Sequence, residues 1–87
     1  MIPEKGKPIL WEEMTWTEVE QFVKKMDMAI LPTAATEQHG PHLPLAVDTL
    51  DCYEVAKRIS ARLGIPVLPP ICYGCSQSHG DFPGTIS

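Results

Sequence analysis

Apolar positions recur with a helical period in two parts of the chain and without one in two shorter stretches. Val19, Phe22, Val23 and Met26 fall at i, i+3, i+4 and i+7, which predicts a helix over about 16–25 whose single apolar stripe lies on a sheet. Its start is marked by Thr15-Trp16-Thr17-Glu18. The Thr15 hydroxyl can accept from a first-turn amide while Glu18 reaches back to the cap amide, with Met14 and Val19 placed as a hydrophobic staple. Leu50, Cys52, Val55, Ala56, Ile59 and Leu63 predict a second helix that begins at Asp48 or Thr49 and stops at Gly64, with Pro66 just beyond. Between the helices, Met28-Ala29-Ile30-Leu31 is apolar on both parities and closed by Pro32, the pattern of a strand covered on both faces. Residues 65–71 read as the next strand, kept short or bordered by irregular chain because of Pro69-Pro70.

The order helix, strand, loop, helix, strand, loop places the chain in the α/β class. Two like-directed strands joined by a helix form a right-handed βαβ unit, so the loop 33–47 and the loop from residue 73 onward leave the same edge of the sheet. Open α/β sheets place ligands at that edge. The first loop, at about fifteen residues, is far longer than the usual two to six, and it is too rich in Pro, Leu and His to be a spacer.

Within that loop, Glu37 and His39 are two apart, so in extended chain both side chains point to one side. Asp48, eleven residues after Glu37, returns at the start of the second helix, and Gly40-Pro41 supplies the bend that folds the segment back. Carboxylate plus imidazole is the ligand mixture of zinc, manganese or ferrous iron. If Asp48 bridges, with Glu37 on one ion and His39 on the other, the set becomes a two-metal site. Plainer readings stand beside this one: Asp48 as a helix N-cap, Glu37 as a solvated carboxylate, and His39 or His42 as hydrogen-bonded structural histidines.

Charge and composition narrow the partners. Seven Lys and Arg against eleven Asp and Glu give a net charge of -4 with no basic patch, so neither nucleic acid nor an anionic membrane is expected to bind. The apolar runs are too short to span a bilayer and MIPEKGKPIL lacks a signal-peptide core, so a cytoplasmic location is expected. The three cysteines are then expected to be reduced. Cys72-Tyr73-Gly74-Cys75 has C-x-x-C spacing, but the glycine and polar residues around it predict a loop rather than the helix N-terminus of a thiol redox site.

The run Glu37-Gln38-His39-Gly40-Pro41-His42-Leu43-Pro44, followed by Val47-Asp48-Thr49, closely resembles the E-Q-H-G-P-H-L-P…D-T signature of the creatininase family, the creatinine amidohydrolases. Trp11 and Thr15 resemble its opening W-x-x-x-T, and Ile30-Leu31-Pro32 its first core strand. Tyr73-Gly74-Cys75-Ser76, through His79 to Phe82-Pro83-Gly84-Thr85, resembles its Y-G-x-S…H…F-P-G-T segment. The resemblance implies a three-layer α/β/α sandwich with a parallel core sheet, of which residues 1–87 would form one partial, N-terminal domain. It implies a binuclear site of zinc, manganese or iron in which Glu37 holds one ion, His39 the other and Asp48 both. The implied activity is hydrolysis of a non-peptide amide C–N bond, cyclic as in creatinine or formyl as on a pyrimidine precursor, by a metal-bound hydroxide. Some relatives cleave short peptides.

On the same resemblance, His42 and His79 are candidates for bracing the ligands or orienting substrate, and Ser78, His79 and Thr85 for binding a small-molecule amide. The family forms oligomers, commonly hexamers. Its later segment, which supplies further His and Glu ligands, does not occur in these 87 residues, so the chain is expected not to turn over by itself. The alternative is a noncatalytic metal-binding or assembly module. A third reading, a thiol redox protein, would require an acidified Cys72 or Cys75.

Overall fold

A computed structural model of the chain describes residues 6–87. Three extended segments pair side by side and in parallel: Leu10 bridges to Val67, Ile30 bridges to Val67, and Thr33 bridges to Ile71. The segment holding Val67 is therefore central. Val67 donates its N–H to Ile9 O and accepts the Trp11 N–H, both at 2.8 Å, on one side. Its neighbours serve the other side, Pro66 O accepting from Ile30 N–H and Leu68 N–H donating to Ile30 O, again at 2.8 Å. Successive residues bonding to opposite neighbours is the pattern of a parallel ladder.

The ladder then breaks and resumes. From the Ile30–Val67 bridge to the Thr33–Ile71 bridge is three residues on one segment (33 − 30) and four on the other (71 − 67), so the Pro69-Pro70 stretch carries one extra residue as a bulge. Ile71 restores the pairing by donating to Pro32 O at 3.0 Å and accepting from Ala34 N–H at 2.8 Å. Pro66, Pro69 and Pro70 have no N–H to give, and the three amides that remain over 66–71, those of Val67, Leu68 and Ile71, are all used. The expected strands thus form isolated bridges rather than one continuous ladder.

Helix α1 (Trp16–Phe22) is shorter than the apolar period suggests. Its capping box is complete: Thr15 N–H donates to Glu18 Oε1 at 2.9 Å and Glu18 N–H donates to Thr15 Oγ1 at 3.2 Å. The helix ends where the amides of Lys25 and Met26 both turn to Phe22 O. A single 3₁₀ turn, Trp11–Glu13, precedes it.

Helix α2 (Val47–Leu63) stops as its sequence predicts, at Gly64 with φ 74°, whose amide bonds Ser60 O at 2.8 Å. It is tied once to the first extended segment and once to the 3₁₀ turn that follows that segment. Fully buried Ser60 accepts the Ile9 N–H on its Oγ at 2.8 Å, and Tyr53 donates its hydroxyl to Glu12 at 2.6 Å. Ala56, Ser60, Ala61, Pro66 and Val67 make up a small buried core.

Expected cover on both faces of the strand at 28–31 is not found: Met28 is 57% exposed and Leu31 49%. Val55, Ile59 and Leu63, at i, i+4 and i+8 on α2, are exposed as well. The physical reason is the small number of layers. The radius of gyration is 15.6 Å, against roughly 12 Å for a compact domain of this length, and the extents of 46 × 31 × 17 Å describe a flat slab. No helix among the described residues is long and apolar enough to cross a membrane.

Ser60→Ala leaves the Ile9 amide without its buried acceptor and should destabilise the chain by about 1–3 kcal/mol in urea denaturation; no change would mean that α2 does not depend on this bond. Glu18 gives a pH test. The Thr15 amide, and then its hydroxyl, hold the Glu18 carboxyl below its ordinary value of 4.5. A carboxyl lowered on folding stabilises above its unfolded pKa, and that stability is lost as pH falls through the folded one. Helicity of α1 followed by circular dichroism should therefore drop in acid below pH 4.5, and Glu18→Gln, which keeps a capping-box side chain without a titrating proton, should flatten the change.

Candidate metal centre

Both long loops leave the sheet at the Thr33–Ile71 end, and hydrogen bonds between them fix their relative position. Thr36 donates its hydroxyl to Cys72 O at 2.6 Å and accepts the Ile86 N–H on its carbonyl at 2.9 Å. The Gln38 N–H donates to Thr85 Oγ1 at 3.0 Å, and Cys52 Sγ on α2 lies 3.5 Å from Thr33 O.

Inside this frame Glu37, His39 and Asp48, all half-buried, bring one potential ligand atom each to within 4.8 Å of the others. Asp48 is not the helix cap. The cap residue is Ala46, which makes no side-chain bond, and Asp48 stands at the second helical position with Oδ1 3.2 Å from His39 Nε2. The positive end of the α2 dipole favours its charge there. His39 Nδ1 lies 3.0 Å from the Glu37 carbonyl, which can only accept, so Nδ1 carries the proton and Nε2 is the atom presented to the carboxylates.

The electrostatics follow from this geometry. The bond to the Glu37 carbonyl, reinforced by the charges of Asp48 and Glu37, raises the His39 pKa against the opposing effect of desolvation. The Glu37 carboxyl is held below its ordinary value chiefly by the Ser76 hydroxyl, with His79, Asp48 and His39 contributing less. Ser76 Oγ is itself buried and completes no hydrogen bond, so its approach to Glu37 falls short of bonding geometry and leaves an orphaned polar atom at the edge of the cluster. A proton on His39 Nε2 satisfies the contact with Asp48, and a divalent cation held there would take the proton's place. Two carboxylates, an imidazole lone pair and an unfilled hydroxyl are donors that suit zinc or manganese.

The other expected residues fall at different distances from this centre. His79 ends the 3₁₀ turn Gln77–His79, with Nε2 3.9 Å from Glu37 Oε1. Ser78 lies in the same turn and is exposed. The hydroxyl of Thr85 is engaged by the Gln38 amide. His42 is exposed, and its ring packs over Gly40, where φ is 84° and an added Cβ would meet the ring at 3.1 Å. Beside the cluster an open, mainly apolar hollow of about 310 Å³ is lined by Gln38, Gly40, Pro41, Leu45, Phe82 and Pro83. Cys52, Cys72 and Cys75 are free thiols, and the carbonyl of Cys72 serves the loop frame. Sequence reasoning missed Gln38 and Ser76 as members of the site. The only signal was their place inside the two conspicuous motifs.

The family model described as creatininase, creatinine amidohydrolase, matches residues 12–87. The chain belongs to the creatininase family. Among the creatininase relatives, the mycofactocin precursor peptide peptidase of Mycolicibacterium smegmatis is 42% identical over 73 residues, covering 77% of this chain and 30% of its own. The creatinine amidohydrolase of Pseudomonas putida is 40% identical over 88 residues, covering 94% and 34%. The 3-dehydro-scyllo-inosose hydrolase of Thermotoga maritima is 31% identical over 84 residues, covering 95% and 27%. A zinc-zinc form of a mutant creatininase superimposes with a TM-score of 0.83 at 39% identity, covering 94% of this chain and 34% of that one. A manganese form gives 0.83 and 39%, covering 93% and 34%. The chain therefore shares the creatininase α/β fold and spans about a third of the length of the relatives it matches, which are hydrolases.

Thr85→Val preserves shape but removes the acceptor of the Gln38 amide, costing about 1 kcal/mol. Hydrogen exchange should speed at the Gln38 and Ile86 amides together, because both hold the second loop to the first; protection unchanged at both would show that the loops are held otherwise.

Proposed function

We propose that this chain supplies the ligand-bearing N-terminal portion of a metal-dependent amidohydrolase, with Glu37 on one divalent ion, His39 on a second and Asp48 on both. The observation that carries this reading is the convergence of the three ligand atoms within 4.8 Å. The bridging role of Asp48 is supported by its position: its Oδ1 lies 3.2 Å from His39 Nε2, and it offers a ligand atom within 4.8 Å of those of both Glu37 and His39. Zinc and manganese are favoured by the forms in which structural relatives occur.

When bound, the ions supply a water-derived nucleophile at neutral pH and polarise the amide carbonyl. The chain's own residues hold and shield that chemistry. The Glu37 carbonyl fixes the His39 ring so that Nε2 faces the centre. The apolar hollow at Gly40, Pro41, Leu45 and Phe82 offers a wall for the substrate's carbon skeleton, and its size, about 310 Å³, fits a small cyclic or formyl amide. A mutant creatininase has been captured complexed with creatine, which supports a compact substrate of this kind. In this reading residues 1–87 form one partial domain of a three-layer α/β/α sandwich that works as an oligomer, and Ser78, His79, Thr85 and His42 line the approach. The exposed row Val55, Ile59 and Leu63 favours a second reading, a noncatalytic metal-binding or assembly module that uses this face for contact.

Equilibrium dialysis against zinc and manganese, read by elemental analysis, separates the two. Two tightly held ions per site, with amide hydrolysis in the assembled protein, support the enzyme. One loosely held ion or none, without turnover, supports the module. Asp48→Ala should abolish binding of both ions and His39→Ala should chiefly weaken one; equal retention of metal in the two variants would overturn the ligand assignment.

A further inference from the structure

Gln38 lies between two proposed ligands and is bonded in three directions. Its N–H donates to Thr85 Oγ1 at 3.0 Å, its Oε1 lies 3.0 Å from the Gly40 N–H, and its Nε2 lies 2.8 Å from His79 Nδ1. These bonds form a chain of forced assignments. A backbone N–H can only donate, so the atom facing Gly40 must be the amide oxygen, and the atom facing His79 must be the amide nitrogen. That nitrogen can also only donate, so His79 Nδ1 must accept. The neutral His79 ring then carries its proton on Nε2, the atom that faces Glu37 Oε1 at 3.9 Å.

We propose that Gln38 is a positioning residue that fixes the tautomer of His79, so that an N–H rather than a lone pair faces the Glu37 carboxylate. This deepens the metal-centre reading and rests on it in one respect only, the role of Glu37 as a ligand. The orientation set by the Gly40 turn in the first loop is passed through one amide group to a histidine in the second, whose Nε2 faces the Glu37 head at 3.9 Å. A lone pair at the same place would repel the carboxylate and turn it away from Asp48 and His39. Glutamine is the side chain that fits. Glutamate presents oxygen on both sides and would pull the His79 proton to Nδ1, whereas leucine makes neither bond and leaves the ring to choose. Outer partners of this kind typically tune metal affinity by about 10–100-fold.

The test is a long-range ¹H–¹⁵N spectrum of the histidine rings of the metal-free chain in alkaline buffer, followed by a zinc titration. The expected wild-type result is His79 protonated at Nε2 with an unprotonated Nδ1. Gln38→Glu should move the proton to Nδ1, and Gln38→Leu should give a mixture of tautomers and bind zinc at least tenfold more weakly with its stoichiometry unchanged. A wild-type His79 protonated at Nδ1, a Gln38→Glu ring still protonated at Nε2, or undiminished zinc affinity in Gln38→Leu would each overturn the proposal. The wild-type spectrum decides the first point without any variant, so an unfolded variant does not remove the test. Because the tautomer is read without metal, a wild-type chain that binds no zinc would sink the metal reading and leave the Gln38–His79 assignment standing.

Discussion

Ile30 and Val67 run in the same direction, and the position of each functional group follows from that pairing. A chain that leaves one segment and returns through a helix to lie parallel beside it must bring both outgoing loops to one edge. Glu37 and His39 leave with the first loop, Asp48 re-enters with α2, and His79 and Thr85 arrive with the second. Had the pairing been antiparallel, the second loop would have left from the opposite end, with no bonds from Thr36 to Cys72 or from Gln38 to Thr85. The bulge at Pro69-Pro70 adjusts this arrangement. By adding one residue to the central segment, it lets the ladder resume at Ile71, the last paired residue before the second loop.

What the edge assembles is a concentration of negative charge, which needs compensation. Asp48 gains some from the N-terminal end of α2, Glu37 gains some from the neighbouring Ser76 hydroxyl, and His39 provides the rest by taking a proton readily. The same three effects would serve a cation. The bond from His39 to the Glu37 carbonyl is especially economical, since one ligand's backbone orients the other ligand's ring two residues later. A loop that must present a carboxylate and an imidazole to one point therefore orients the imidazole from within itself, which is consistent with the tight E-x-H spacing.

How much of this could be read from the sequence depended on how far apart the partners stand. Thr15 and Glu18 are three residues apart, and their capping box was legible and is present. Gly64 followed by Pro66 marked the end of α2 for the same reason. The proximity of Glu37, His39 and Asp48 was suggested by a strand's two-residue repeat and a bend, and the resemblance to the family signature favoured that reading over the plainer ones. Asp48 looked equally suited to cap the helix, and only the structure shows that the cap is Ala46, two residues earlier, which leaves the carboxylate to His39. The segment at Leu10 was missed because its partner is at Val67. The bonds of Gln38 were missed because an amide side chain gives no periodic signal and its histidine partner is forty-one residues away.

Helix α2 joins the centre to the largest unresolved demand of the fold, its uncovered apolar face. At 3.6 residues per turn, Val55 and Ile59 lie within about 20° of the direction of Asp48, so the exposed row and the candidate ligand share one side of one helix. Val55 is 58% exposed and Ile59 40%, and full burial of such side chains is worth about 1.5–3 kcal/mol each. Val55 stands about 10 Å along the helix from Asp48, so a surface that covers the row and extends that far toward the N-terminus would remove water from the carboxylates and strengthen their attraction for a cation. For such a surface, covering the apolar face and closing the candidate site would be coupled by the geometry of a single helix. An ion that binds the covered state more tightly than the bare one must, by linkage, tighten the cover in the same proportion.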